Sequence, residues 1–106
     1  MPKNYLTNRD DLQWTKLIRG VEFSFKTTWG LFSPKQLDAG SLLLLDHLNP
    51  KPDAHILDLG CGYGPLGIIL AHLCPQGQVD MVDKDFIAVE YTHQNILLNR
   101  CSNSTA

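Results

Sequence analysis

The apolar side chains of residues 21–26 recur at every second position, which is the period of a β-strand. Val21, Phe23 and Phe25 alternate with polar or charged residues, so they predict a strand with one buried face. Trp29-Gly30 then ends the strand. Residues 1–16 are mostly polar and weakly patterned. We therefore expect residues 1–35 to form an N-terminal arm that contains a β-hairpin.

From residue 36 onward the pattern becomes an alternation of helices and short strands. The leucines at 42–45 and 48 predict a helix that begins near Asp38 or Ser41 and ends before Pro50. The following segments are a strand at 55–59, a helix at 66–73, a strand at 79–82 and a helix that begins after a cap at Asp85. The strand at 55–59 is largely apolar, and we expect it to be buried on both faces.

Strands that alternate with helices are typical of a parallel sheet, so the fold class is α/β, with flanking helices and a preceding hairpin arm. The polar residues 101–106 fall where a third strand would begin. We interpret residues 36–106 as the first, incomplete half of such a domain. The free edge of its first strand should leave apolar side chains exposed, so we expect the isolated chain to be only marginally stable.

The amino-acid composition and the distribution of charge limit the kinds of protein that this chain can be. Hydrophobic residues make up 43% of the chain and charged residues 19%, which is typical of a globular protein. The net charge of −2 gives no overall nucleic-acid signal, but residues 1–35 carry +3 (six basic, three acidic) and residues 36–106 carry −5 (three basic, eight acidic). A solvated surface is the preferred interpretation, and a basic arm beside an acidic ligand-binding half is the alternative.

The three cysteines are widely spaced and the four histidines lack metal-ligand spacing. The apolar runs are too short to span a membrane, and the first residues lack the apolar core of a signal peptide. We expect a protein of the reduced cytoplasm, with no metal and no membrane anchor.

The strongest candidate chemistry lies in residues 56–64, Ile-Leu-Asp-Leu-Gly-Cys-Gly-Tyr-Gly. Gly60 permits a sharp turn off the strand, Gly62 leaves room for a ligand against the backbone, and Gly64 allows the next helix to pack close to the strand. The amides at the start of that helix favour electron-rich ligand groups.

Two carboxylates suggest which ligand binds. Asp83 closes the next strand, where it can accept hydrogen bonds from ribose hydroxyls. Asp58 precedes the first glycine by two residues, where it can pair with an ammonium group. The G-x-G-x-G spacing with Asp58 fits S-adenosylmethionine better than it fits a dinucleotide, whose sites prefer G-x-G-x-x-G. The alternative is a glycine-rich turn that binds nothing.

The segment 56–68 resembles the first motif of Rossmann-like methyltransferases, and specifically of the small-domain methyltransferases that modify guanine N2 in ribosomal RNA. The lead-in at 25–41, with Trp-Gly-Leu-Phe-Ser and Leu-Asp-Ala-Gly-Ser, is similar to that family, as are residues 81–83 and 95–99. The resemblance spans about residues 19–100 and implies a Rossmann-like methyltransferase fold. It also implies an S-adenosylmethionine-dependent activity, with ribosomal RNA as the partner.

The resemblance implies a set of cofactor-binding residues. The methionine part of the cofactor would be lined by Asp58, Gly60, Cys61, Gly62 and Gly64. Asp83 would hold the ribose, and Lys84 would lie near the adenine. The opposite wall of the pocket would be formed by Phe32, Asp38 and Gly40. Core packing is the alternative role for Phe32, and a helix cap is the alternative for Asp38. We interpret Cys61 as a small residue without a nucleophilic role, and Tyr63 as a packing residue rather than an adenine-stacking one.

The chain departs from the family where the substrate would be held. The Asn-Pro-Pro-Tyr motif, which in the family receives the amine to be methylated, does not occur in these residues, so no catalytic residue can be named. We therefore expect this chain alone to be inactive. The alternative substrates are a tRNA adenine or a protein glutamine. The alternative functions are a non-catalytic remnant that keeps the cofactor fold and a nicotinamide-dependent oxidoreductase.

Overall fold

The computed structural model describes residues 11–106, so residues 1–10 of the expected arm lie outside the described residues. Along the chain the elements are β1 (Asp11–Ile18), β2 (Val21–Thr28), α1 (Ala39–His47), β3 (His55–Leu59), α2 (Pro65–Leu73), β4 (Gln78–Val82), α3 (Phe86–Leu98) and β5 (Ser104–Thr105). The strands form an antiparallel hairpin, β1–β2, and a separate sheet in the order β3–β4–β5. The α/β class with a preceding hairpin is confirmed.

The hairpin closes through a two-residue turn. Ile18 pairs with Val21, and both Arg19 (φ 49°) and Gly20 (φ 80°) between them have positive φ. Two positive φ angles are typical of a turn whose twist matches that of the paired strands. Strand β1 covers residues 11–16, which the sequence pattern left unassigned. Only some of its alternate positions are half-buried, so the apolar pattern alone does not predict the strand. The order of β1 comes from its pairing with β2.

The inward face of β2 belongs to the main hydrophobic core. Phe23 and Phe25 are buried, and the ring centroid of Trp14 lies 4.7 Å from that of Phe25. The same cluster contains Ile68 and Ile69 of α2. The hairpin therefore packs against the helices, and the division of the chain at residue 35 stays a prediction.

The second sheet is parallel, as expected. His55 to Leu59 pair in register with Gln78 to Val82, and β5 pairs with β4 at Val79 and Asp80. The short strand β5 confirms that a third strand begins near the end of the printed sequence. The carboxyl ends of β3 and β4 lie side by side, which is where ligands bind in sheets of this kind.

The expectation that β3 is buried on both faces is wrong. Leu57 is 59% exposed and Leu59 is 74% exposed, while Val79 and Met81 on the neighbouring strand are buried. Because successive side chains point to opposite faces, the described residues cover only one face of this sheet. The exposed apolar side chains expected at the first strand are confirmed. The marginal stability of the isolated chain stays a prediction.

The helix boundaries follow local capping. The Asp38 carboxylate accepts a hydrogen bond from the Ser41 amide at 3.1 Å, so α1 begins at Ala39. At its other end the Arg19 guanidinium donates to the carbonyls of Leu45 (2.7 Å) and Leu48 (2.8 Å). The Asp85 side chain caps α3 through the Ile87 amide, which confirms the predicted cap.

Two asparagines, Asn95 on α3 and Asn99 at the C-terminal cap of that helix, bind the outer edge of β2. Asn95 is fully buried; its Oδ1 accepts from the Lys26 amide at 2.6 Å and its Nδ2 donates to the Lys26 carbonyl at 2.8 Å. Asn99 repeats the pattern at Ser24, with distances of 3.0 and 2.7 Å. The two amides take the place of a neighbouring strand and satisfy backbone groups that would otherwise be buried unpaired. Asn95 also donates to the Tyr63 carbonyl at 2.9 Å, so it joins the hairpin to the glycine loop.

Substituting Asn95→Ala should lower the free energy of unfolding by about 2–4 kcal/mol, because buried groups of Lys26 and Tyr63 lose their partner. Urea unfolding followed by circular dichroism measures this loss. Asn49→Ala, on an exposed loop, is the matched control and should change stability by less than about 0.5 kcal/mol. Equal stability of the two variants would contradict the role assigned to Asn95.

Candidate ligand-binding site

A cavity of about 420 Å³ opens where β3 and β4 end. Eight of the ten sequence-predicted site residues line it: Phe32, Asp38, Asp58, Gly60, Cys61, Gly62, Asp83 and Lys84. Gly40, inside α1, and Gly64, at the start of α2, are not among its lining residues. The structure thus brings the lead-in segment, the glycine loop and the end of β4 around one space.

The glycine loop is held by the end of β4. The amides of Gly60 and Cys61 both donate to the Val82 carbonyl, at 2.7 and 3.0 Å. The Gly62 amide donates to Asp83 Oδ2 at 2.9 Å. Gly60 and Gly62 have φ values of 71° and 60°, which L-residues with a side chain adopt at a cost. Contacts within the chain therefore fix the conformation of the loop.

This arrangement corrects one expectation about the amides of the loop. The amides of Gly60, Cys61 and Gly62 are used within the chain, and the Gly64 amide donates to the Cys61 carbonyl at 3.1 Å. The first residue of α2 is Pro65, which has no amide hydrogen. These positions offer little to a phosphate group, although helix starts commonly bind one.

The glycine that permits close packing of helix and strand is Gly67, not Gly64. A Cβ on Gly67 would lie 2.4 Å from Met81 Sδ and 3.0 Å from Asp58 Oδ2. A Cβ on Gly64 would instead meet Thr92 of α3 at 3.0 Å, and Gly64 has a φ of 98°. Sequence reasoning chose Gly64 because it continues the alternate-glycine pattern, whereas the approach of α2 to β4 occurs one turn later.

Asp58 places a carboxylate at the floor of the cavity. Its Oδ2 is buried and has no hydrogen-bond partner among the described residues. Burial raises the pKa of this carboxyl, the Gly67 amide opposes that rise, and the negative charge of Asp83 adds to it. A cationic group in the cavity would offset both the cost of burying the charged Asp58 carboxylate and its repulsion by Asp83.

Asp83 has a structural task as well as its predicted one. Its Oδ2 holds the Gly62 amide and its Oδ1 accepts from the Asp85 amide at 2.8 Å. Each carboxylate oxygen can accept a further hydrogen bond, so ribose hydroxyls can still be received. Lys84, the next residue, is the only lysine or arginine among the residues that line this cavity.

The opposite wall comes from the lead-in segment. Phe32 is 81% exposed, so core packing does not explain it. Asp38 caps α1, with the Ser41 hydroxyl donating to its Oδ1 at 2.7 Å, and it also lines the cavity. Hydrogen bonds from Ser41 lower the pKa of this carboxyl against the effect of burial, which is the largest single influence. The helix-cap role of Asp38 is confirmed, and its cofactor role stays a prediction.

Tyr63 and Cys61 support the loop rather than supply reactive groups. The Tyr63 hydroxyl donates to the Ser33 carbonyl at 2.6 Å and accepts from Trp14 Nε1 at 3.1 Å. Burial raises the pKa of Tyr63 to about 12 and that of the Cys61 thiol to about 11, so both remain neutral near pH 7. The packing role predicted for Tyr63 is confirmed.

Sequence reasoning missed several lining residues, namely Gly30, Leu31, Ser33, Ser41, Tyr63, Pro65, Leu66, Asp85 and Ala88. Most of them adjoin a predicted residue and could have been found by extending each motif by one or two positions. The break at Gly30 (φ 94°) was expected from the sequence, but the hydrogen bond from the Tyr63 hydroxyl to the Ser33 carbonyl has no local signal, because the two residues are thirty positions apart.

A larger cavity of about 650 Å³ lies between the hairpin, α2 and the residues after α3, and it shares no lining residue with the first. It contains neither the glycine loop nor an aspartate, so the sequence motifs do not favour it. Within residues 11–106, no group of three or more His, Cys, Asp or Glu side chains is arranged to hold a metal ion. No helix in the same range has the length and apolar composition needed to cross a bilayer.

An acid-lined cavity behind a glycine loop, at the carboxyl ends of parallel strands, defines a ligand-binding α/β domain. Residues 22–106 match the family model described as Methyltransferase small domain. The match covers more than half of the chain, so the chain belongs to the methyltransferase small domain family. The resemblance inferred from residues 56–68 is confirmed at this level.

Similar proteins extend well beyond this chain. It is 38% identical over 91 residues to the Bacillus subtilis (strain 168) protein "Uncharacterized protein YbxB", covering 85% of this chain and 45% of that one. It is 46% identical over 70 residues to "Ribosomal RNA small subunit methyltransferase C" of Pseudomonas putida (strain GB-1), covering 66% of this chain and 21% of that one. The chain thus spans less than half the length of these curated relatives.

A solved structure shares both fold and sequence. It is described as a T. thermophilus 16S rRNA N2 G1207 methyltransferase (RsmC) in complex with AdoMet and guanosine, with a TM-score of 0.80 and 30% identity. The alignment covers 91% of this chain and 27% of that one. The hairpin, the helices and the parallel sheet are therefore an arrangement that occurs in a larger enzyme.

Substituting Gly67→Ala should lower the free energy of unfolding by about 1–3 kcal/mol, because the new methyl group overlaps the Met81 side chain. Met81→Ala should relieve the overlap, so the double variant should lose at least about 1 kcal/mol less than the sum of the single losses. Urea unfolding of the four proteins measures this coupling. Simple additivity would contradict the close contact.

Substituting Asp58→Asn should stabilise the fold at neutral pH and not in acid. Because the folded-state pKa of Asp58 is raised, ionising this group lowers stability as pH rises above its ordinary value of 3.8. The gain of the variant over the unsubstituted chain should therefore vanish below that pH. Unfolding free energies measured from pH 3 to pH 7 test this, with Asp53→Asn as a control for loss of one surface charge. A gain that stays constant over the whole range would overturn the assignment.

Proposed function

We propose that this chain binds S-adenosylmethionine in the acid-lined cavity, as the cofactor-binding part of a methyltransferase of the cytoplasm. The observation that carries the proposal is the charge of the cavity. Four aspartates, Asp38, Asp58, Asp83 and Asp85, line it against the single cation of Lys84. S-adenosylmethionine is a net cation, because its sulfonium and ammonium groups outweigh its one carboxylate, so it complements this lining. The pyrophosphate of a dinucleotide is repelled by the same lining.

The residues present fit this cofactor at three places. Asp58 can receive the ammonium group, and its buried Oδ2 without a partner is the kind of acceptor that a bound cation would compensate. Asp83 has remaining lone pairs for the ribose hydroxyls. Gly62 presents backbone without a side chain, since no protein atom lies within 4 Å of the position that its Cβ would occupy.

The proposed substrate is an exocyclic amine of a guanine in ribosomal RNA. Support comes from the relatives whose names specify ribosomal RNA, and from the solved structure whose description specifies N2 of a guanine. When bound, the cofactor supplies an activated methyl group. The contribution of this chain is to bind and orient that group, which is a large part of the catalysis of a transfer reaction.

Titration calorimetry with S-adenosylmethionine, and separately with NAD, tests the proposal. We expect heat from S-adenosylmethionine only. Gly62→Ala should weaken that binding by at least about tenfold, because its methyl group enters the ligand space. Gly20→Ala is a matched control, since Gly20 also has a positive φ and an open Cβ position but lies in the hairpin turn. Both variants carry a similar backbone strain of about 1–2 kcal/mol.

A preference for NAD, or equal losses in the two glycine variants, would contradict the proposed site. No heat from either ligand, in protein whose circular dichroism shows a folded chain, would favour a remnant that keeps the fold without the ligand. Asp83→Asn adds a second arm, because it removes charge from the ribose acceptor and should weaken binding of S-adenosylmethionine.

A further inference from the structure

Trp29 is an exposed aromatic side chain held between buried residues. It is 57% exposed, while Thr28 before it and Leu31 two residues later are buried. The chain turns outward here because β2 ends at Thr28 and Gly30 takes a φ of 94°. A single exposed apolar side chain is common at protein surfaces, so the exposure of Trp29 is informative only together with its neighbours.

The bend that follows Trp29 is fixed by hydrogen bonds to residues outside it. Ser33 has a positive φ of 51°, and its hydroxyl donates to the Gln36 carbonyl at 2.8 Å. The Tyr63 hydroxyl donates to the Ser33 carbonyl. The same bend forms a wall of the acid-lined cavity through Gly30 and Ser33. Trp29 directly precedes this wall in the chain, in a segment constrained by these hydrogen bonds.

Lys35 lies over this ring. Its Nζ is 4.7 Å from the centre of the Trp29 ring, a cation–π contact that places a positive charge at the exposed indole. Trp29 and Lys35 are absent from the lining of the cofactor cavity, so the proposed cofactor site does not use them.

The charges around Trp29 and Lys35 indicate which kind of ligand this pair can bind. The aspartates of the cavity repel a phosphate backbone, so an RNA strand that delivers a base to the cavity needs cations beside it. Lys35, in the lead-in segment whose bend lines the cavity, carries such a cation. Flat aromatic rings next to basic groups are the usual means of binding single-stranded nucleic acid.

We propose that Trp29 and Lys35 form a docking surface for single-stranded RNA, in which a base next to the target stacks on the Trp29 indole and Lys35 meets a phosphate. This inference rests on the proposed function, because the target base would have to reach the cofactor cavity. It assigns to this chain a part of substrate recognition that lies outside the cofactor site.

Fluorescence anisotropy with a labelled single-stranded RNA of about ten nucleotides tests the surface. Trp29→Ala should weaken binding about 5- to 150-fold, the loss typical of one stacked base, and Trp29→Phe should keep most of the affinity. Leu17→Ala removes another exposed apolar side chain, on β1, and should leave RNA binding unchanged. Circular dichroism of each variant checks that the fold is retained.

Salt dependence tests the role of Lys35. Lys35→Gln should reduce the slope of log affinity against log salt by about 0.7, the value for one contact with a single strand. Lys51→Gln removes the same charge from an exposed loop and is the matched control. Equal slopes in these two variants would remove Lys35 from the surface.

Unchanged RNA affinity in Trp29→Ala, or no RNA binding by the folded unsubstituted chain, would overturn the inference. Calorimetry with S-adenosylmethionine on the same samples separates the two proposals. If the cofactor binds and Trp29→Ala has no effect on RNA, the docking surface is wrong and the cofactor site stands. If RNA binding depends on Trp29 and the cofactor gives no heat, the surface stands and the proposed cofactor site is wrong.

Discussion

The buried amide of Asn95 is the contact on which the candidate site depends. It binds the backbone of Lys26 in the hairpin and the carbonyl of Tyr63 in the glycine loop, so one side chain joins three parts of the fold. Tyr63, thus placed, directs its hydroxyl to the bend at Ser33. Buried polar groups are costly when unpaired, so these bonds specify one arrangement of the loop and the lead-in segment.

A second constraint acts through charge. The end of β4 holds the glycine loop through the Val82 carbonyl and the Asp83 carboxylate, which uses the loop amides that could otherwise bind a phosphate. What remains in the cavity is mainly negative, with the burial of Asp58 raising its pKa. A glycine-rich turn between strand and helix, which binds dinucleotides in other proteins, therefore forms a site better suited to a cationic ligand here.

The described residues also leave one face of the parallel sheet open, with Leu57 and Leu59 exposed. Parallel sheets are commonly covered on both faces. This chain covers only 45% and 21% of two similar proteins. Among the described residues, the candidate cavity is lined by the lead-in segment, the glycine loop and the residues that follow β4.

The sequence by itself determined the order of the elements after residue 36, the two helix caps and eight of the seventeen residues that line the cavity. Those features depend on local signals: apolar periodicity, an aspartate before a helix, and glycines at a strand end. Only the tertiary structure decided the position of β1, the exposure of β3 and the role of Gly67. Each depends on contacts between residues distant along the chain, as when the Met81 side chain leaves no room for a Cβ on Gly67. Local pattern cannot report such contacts, because they exist only once the elements have packed.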